Sequence, residues 1–172
     1  MRQYLADTAE AIGRVEVGEL DNAVRILQEV RDNGNVVWIV GNGGSAATAE
    51  HFANDLVKMA GVRAIAVHSL TPTLLAYGND EGWETACLSI LNVMKKPGDA
   101  LVAISCSGKS PNVVLAAMKF HHNRLIVLTG NKYDSQLASM DAGAKIFVTD
   151  EDIRIQEDAH LAACHAIAGA LR

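Results

Sequence analysis

The chain has 172 residues, 49% of them hydrophobic but only 5% aromatic, and a formal net charge of −5. That length suits one domain with an aliphatic, alanine-rich core and is short for two. The acidic balance, without blocks of like charge, argues against nucleic-acid binding and an anionic membrane surface. No apolar run approaches the length of a membrane span and the N-terminus is not leader-like, so a soluble cytoplasmic protein is expected. Cys87, Cys106 and Cys164 are odd in number and far apart, which suggests neither a disulfide framework nor a paired-cysteine zinc site.

Residues 2–33 read as helical. Leu5, Ala9 and Ile12 share one face, Leu20, Val24, Leu27 and Val30 another, and Asn33-Gly34 is a stop signal. Such an amphipathic N-terminal segment suits a partner subunit or its own domain equally well. Val36-Val-Trp-Ile-Val40 is then a continuous, mostly β-branched apolar run, the pattern of a strand buried on both faces. Gly41, Asn42, Gly43 and Gly44 break it, and Ser45 is expected to cap a helix over about 46–59. Strand, glycine turn and helix start together make an anion site. The turn fits the dinucleotide fingerprint only loosely and lacks the phosphate-loop lysine, so the turn alone leaves phosphate binding open. His51 and Asp55 stand four apart on one face of that helix, as polar surface or as metal or acid–base ligands.

A second strand is expected over 62–67, a short helix over 69–77 broken by Gly78–Gly82, and a helix over 83–94. Pro97-Gly98-Asp99 is a turn before a buried strand over 100–104. That strand runs into Ser105-Cys-Ser-Gly-Lys-Ser110 and then Pro111, repeating the first arrangement. Hydroxyls, glycine and a charge-adding lysine at a helix start make a sharper anion signal than glycine alone, against the plainer reading of a serine-rich cap. A helix over 113–122, a strand over 124–128, a short helix over 133–140, a strand over 145–148 and a helix over 152–171 complete the alternation. The expected fold is an α/β three-layer sandwich, a five-stranded parallel sheet flanked by helices, with ligands at the carboxyl ends of the strands. On the closing helix, Gln156, Glu157, Asp158, His160 and His165 stand among alanines and leucines. A histidine and a carboxylate there could join His51 and Asp55 around a divalent metal, zinc most naturally, although spacing alone does not bring the two helices together. His68, His121 and His122 read as surface or loop.

Taken in order, Gly41-Asn-Gly-Gly-Ser-Ala-Ala47, His51-Phe-Ala53, Gly78-Asn-Asp80, Ile104-Ser-Cys-Ser-Gly-Lys-Ser-Pro-Asn112, Leu128-Thr-Gly130 and Arg154-Ile-Gln-Glu157 with a later histidine resemble the single-domain sugar-isomerase (SIS) family, and most closely its phosphoheptose isomerases. The resemblance spans essentially the whole chain, residues 1–172, with 1–34 as a helical segment for packing or oligomerisation. It implies a Rossmann-like (flavodoxin-like) fold, a homotetramer and a redox-free aldose–ketose isomerisation of sedoheptulose 7-phosphate through an enediol(ate). Ser45, Ser105, Ser107 and Ser110 would hold the phosphate, with Gly43 and Cys106 in the same turns and Asn42, Asp80 and Glu157 near the sugar. Asp55 and His165 would shuttle the proton, and His51, Asp55, Glu157 and His165 would hold zinc. Two departures stand out. The family's usual glutamate is Asp55, and one residue is inserted before His165, so that its usual glutamine is Glu157 counted back from His165 or Gln156 counted from the motif. The count from His165 is preferred because it also places His160. Two alternatives remain open: an SIS protein acting on another phosphosugar, and a non-catalytic, replication-initiator-associating relative.

Overall fold

In the computed structural model, which describes residues 1–130 and 133–172, two helices, α1 (Arg2–Gly13) and α2 (Val17–Asp32), precede the sheet unit. There follow β1 (Val37–Val40), α3 (Gly44–Ala60), β2 (Ala64–Ala66), α4 (Thr71–Asp80), α5 (Trp83–Met94) and β3 (Ala100–Ile104). The chain then runs through α6 (Pro111–Ala117), β4 (Leu125–Thr129), α7 (Gln136–Ser139), β5 (Ala144–Phe147) and α8 (Ile153–Ala170). All strand pairs are parallel and the order is β2-β1-β3-β4-β5.

The period-two side-chain alternation of a strand builds the three layers. Val37, Ile39, Val102, Ile104, Ile126, Leu128 and Ile146 pack with α2, α3 and α8. Trp38, Val40, Leu101, Ala103, Leu125 and Val127 pack on the opposite face with α4, α5 and α6. Because both faces are covered, the inner strands are almost wholly apolar, and this is why β1, β3 and β4 stood out as continuous runs, whereas the edge strand β5 carries Lys145. The turn before β3 does more than reverse the chain. Asp99, only 3% exposed, accepts hydrogen bonds from Val36 N (2.9 Å), Lys96 N (2.9 Å) and the Trp38 indole Nε1 (3.0 Å). It therefore locks the start of β1 to the start of β3.

Several boundaries differ from expectation for local reasons. The helical segment 2–33 is two helices, and Leu5 and Ile12 are exposed while Ala11 is buried. α4 continues through Gly78–Asp80 and stops at Glu81, before Gly82 at φ +95°. α6 ends at Ala117 instead of 122. There the chain tightens into i→i−3 bonds (Lys119 N to Ala116 O, Phe120 N to Ala117 O) that carry Phe120 into the core. The 133–140 helix shortens to Gln136–Ser139 because the Ser135 hydroxyl caps it, accepting from Ala138 N. His68, read as surface or loop, sits half-buried in a 3-10 turn (Val67–Ser69) between β2 and α4, with both ring nitrogens buried and unpartnered. That burial holds its pKa below the usual value.

Candidate active site

With this strand order the chain leaves β1 toward one edge and β3 toward the other. The turns after those two neighbouring strands therefore meet at the carboxyl end of the sheet, the topological switch point. In the first turn Gly43 takes φ +53°, open to glycine at little cost, and winds the chain into α3 at Gly44. Ser45 is consequently not the cap. It lies inside the first helical turn, buried, with its hydroxyl turned to the Cys106 thiol. Ala46 N and Ala47 N close the first turn back on Gly43 O (3.0 and 3.2 Å), so the earlier N–H groups, of Gly44 and Ser45, are the ones a helix start leaves for a ligand.

In the second turn the Ser105 hydroxyl donates to Ser110 Oγ (3.2 Å) and lies 3.5 Å from Ser107 Oγ. Ser107 Oγ also accepts from Lys109 N (3.2 Å). Lys109 does not bring its charge to the cluster: its Nζ pairs with Asp134 at 2.6 Å. The two turns are clamped together by Asn42 and Asn112, whose side-chain amides donate to one another reciprocally at 2.9 Å. Asn112 is buried and also donates to Cys87 Sγ (3.7 Å), a thiol pushed up to about 11 by burial against the opposing effect of that bond. Beneath the second turn Cys106 is buried, and its pKa is raised first by desolvation, with the Ser45 hydrogen bond opposing and the Glu157 charge adding to the rise. It is a neutral thiol, a hydrogen-bonding group more than a nucleophile.

Two turns along α3, His51, Asp55 and His165 of α8 converge. Asp55 Oδ2 is 3.6 Å from Nε2 of each histidine, and the two Nε2 atoms are 3.2 Å apart. The aspartate is buried and accepts on its other oxygen from Asn54 Nδ2 (3.2 Å), while both imidazoles are about half exposed. Packing of α3 on α8, which periodicity alone did not dictate, brings the trio together. Glu157 stands apart from it. Its carboxylate lies over Gly44, in the space a β-carbon there would take. Gln156 is turned elsewhere: it lies against Gly130, and its Nε2 donates to Asp150 O (2.6 Å). Of the two registers considered for this helix, Glu157 is thus the residue that meets α3. Asp80 is exposed at the end of α4, accepting from Asn79 Nδ2 (2.8 Å); among the described residues no hydrogen bond ties it to either turn.

Residues 2–130 match the model of the SIS domain. The chain belongs to the SIS domain family. A phosphoheptose isomerase of Thiobacillus denitrificans is 32% identical over 98% of this chain and 88% of that protein. One of Akkermansia muciniphila is 38% identical, over 65% of this chain and 61% of its own length. The solved phosphoheptose isomerase GmhA from Neisseria gonorrhoeae superposes with a TM-score of 0.87 at 28% identity, covering 99% of this chain and 94% of that one.

For this SIS protein, sequence reasoning missed the structural partners of the site. The clamp role of Asn112 carries no signal of its own, since an asparagine after a proline looks like an ordinary helix residue, and His160, singled out on the closing helix, carried no sign that it faces Cys106. The Pro111 start signal was the one available hint that Asn112 would face back into the turn.

Proposed function

We propose that the chain is an aldose–ketose isomerase that interconverts sedoheptulose 7-phosphate and D-glycero-D-manno-heptose 7-phosphate. The observation that carries this reading is that α3 bears the Gly/Ser turn at its N-terminus and the His51–Asp55 pair two turns on, with His165 beside it. A sugar phosphate seated in the turns extends its reacting end along the helix toward the trio. Ser45, Ser105, Ser107 and Ser110 hydrogen-bond the phosphate, with the Gly43 and Gly44 backbone and the positive end of the α3 dipole facing its charge. Asn42 and Glu157 line the path to the sugar hydroxyls, and Cys106 supports the second turn from below.

At the reacting end the Asp55 carboxylate takes the C1 proton of the ketose and returns it to C2. His165 moves the hydroxyl proton from O1 to O2, which leaves the C1 aldehyde. No redox equivalent is needed, since the two carbons exchange oxidation level through the enediol. The trio also fits a divalent metal. Ligand atoms of a tetrahedral zinc site with bonds of about 2.0–2.1 Å stand about 3.3 Å apart, and the three donor atoms here are 3.2–3.6 Å apart. His51, Asp55 and His165 would hold zinc, with Glu157 proposed as the fourth ligand. When bound, zinc would polarise the carbonyl and stabilise the enediolate charge.

The exposed Leu5, Ile12 and Val17 on α1 and α2 suit these helices to the subunit contacts of a homotetramer, and we infer a cytoplasmic setting. No helix among the described residues is long and apolar enough to cross a membrane. The test is incubation with sedoheptulose 7-phosphate, before and after chelation and zinc addition, following the aldose by NMR. Zinc-dependent conversion supports the whole reading, conversion regardless of chelation removes the metal, and no conversion removes the reaction.

A further inference from the structure

His160, one face of α8 away from the trio, is fully buried. Its Nδ1 lies 4.0 Å from Cys106 Sγ and the ring sits beside the Thr129 backbone, while Nε2 is buried with no partner. A buried polar atom left unpaired is a standing cost to the fold, and a leucine of similar volume would avoid it. What the imidazole touches is the underside of the phosphate turn. Cys106 is held on three sides. Its carbonyl accepts from Gly130 N (2.9 Å) and Thr129 Oγ1 (3.3 Å), and its thiol meets both Ser45 and His160. Thr129 and Cys106, the two groups His160 touches, are thus bonded to each other. Cys106 lies between Ser105 and Ser107 in sequence and against Ser45 in space, so a shift of its side chain moves hydroxyls of both turns.

We propose that His160 is a positioning residue for phosphate recognition: it fixes Cys106, and through Cys106 it fixes Ser45 on one side and the Ser105–Ser107 backbone on the other. This role rests on reading the two turns as the phosphate site. It needs a rigid polar group at the Nδ1 position, which an asparagine partly reproduces and a leucine does not.

The experiment measures inorganic phosphate binding by calorimetry, together with KM and kcat for sedoheptulose 7-phosphate, in the wild-type chain, His160→Leu, His160→Asn, Cys106→Ala and the Cys106→Ala/His160→Leu double variant. His160→Leu is expected to melt no lower than wild type, yet to bind phosphate about tenfold more weakly and to raise KM by a similar factor, with kcat falling less than twofold. His160→Asn should recover most of that affinity. In the Cys106→Ala background, adding His160→Leu should weaken phosphate binding less than twofold further, since the linking thiol is already gone. Wild-type affinity in a folded His160→Leu chain, or a full tenfold loss in both backgrounds, would overturn the role of His160 alone. No phosphate binding by the wild-type chain would overturn the phosphate site and this role with it.

Discussion

Asp99 offers the sharpest test of how the sheet is held. Asp99→Ala removes one carboxylate and strands three donors: the Trp38 indole, itself only 2% exposed, and the backbone N–H groups of Val36 and Lys96. Each hydrogen bond to a charged acceptor contributes about 1.5–3 kcal/mol, and each buried donor left unpaired costs about 1–3 kcal/mol. Allowing water to reach the two half-buried backbone groups, the net loss is about 3–5 kcal/mol, a large share of the roughly 5–15 kcal/mol that a domain has. Asp99→Asn keeps an oxygen for Val36 but turns an NH2 toward the other two donors, and is expected to lose about 2–3 kcal/mol. Urea unfolding followed by far-UV circular dichroism reads both, with the midpoint falling and the slope unchanged. A loss below about 1 kcal/mol for the alanine variant would refute the claim that this carboxylate ties β1 to β3.

Acid should destabilise the fold through His160. Burial depresses its pKa to about 4, from 6.5 in the unfolded chain, so between these values the unfolded state binds the extra proton. The stabilisation is full above 6.5 and is lost toward pH 4, worth about 3 kcal/mol over the shift. His68 shifts in the same direction. Unfolding midpoints for His160→Leu should show a correspondingly flatter profile from pH 7 to 4.5, and parallel profiles would contradict the assignment. Gly44→Ala places a methyl group where the Glu157 carboxylate lies and should cost about 1–3 kcal/mol. In a Glu157→Ala background the same change should cost little, a non-additivity measurable in a thermal unfolding cycle. Asp55→Asn should reduce turnover at least a hundredfold and weaken zinc binding at least tenfold, read separately by NMR and calorimetry. Retention of both would remove Asp55 from the reaction.

Much of this architecture was legible because parallel strands covered on both faces are written as apolar runs. α5 and β3 fall on the expected bounds, and the paired Ser/Gly turns follow β1 and β3 as expected. Boundaries failed where a side chain or a tightened last turn, invisible to periodicity, overrode helix propensity, as at Ser135 and Phe120. The site was half legible. His51 and Asp55 announce themselves by helical spacing, but His165 joins them only because α8 crosses α3, a tertiary fact. Likewise Lys109 looked like a phosphate cation, yet an aspartate 25 residues further on holds it at the rim.

The single helix that bears both halves of the site also sets a length. Residues rise about 1.5 Å each along an α-helix, so Ser45 and His51 are about 9 Å apart along the axis and Ser45 and Asp55 about 15 Å. A substrate clasped by its phosphate at one end must span that interval to present its carbonyl at the other. Each carbon removed from an extended sugar shortens it by about 1.3 Å, given C–C bonds near 1.5 Å. With the phosphate placed in the turns as proposed, α3 works as a ruler: a five-carbon phosphate reaches about 2.6 Å less far along the helix toward Asp55 than a seven-carbon one. Such sugars should behave as competitive inhibitors and not as slow substrates, discriminated by reach without any contact to the missing hydroxyls.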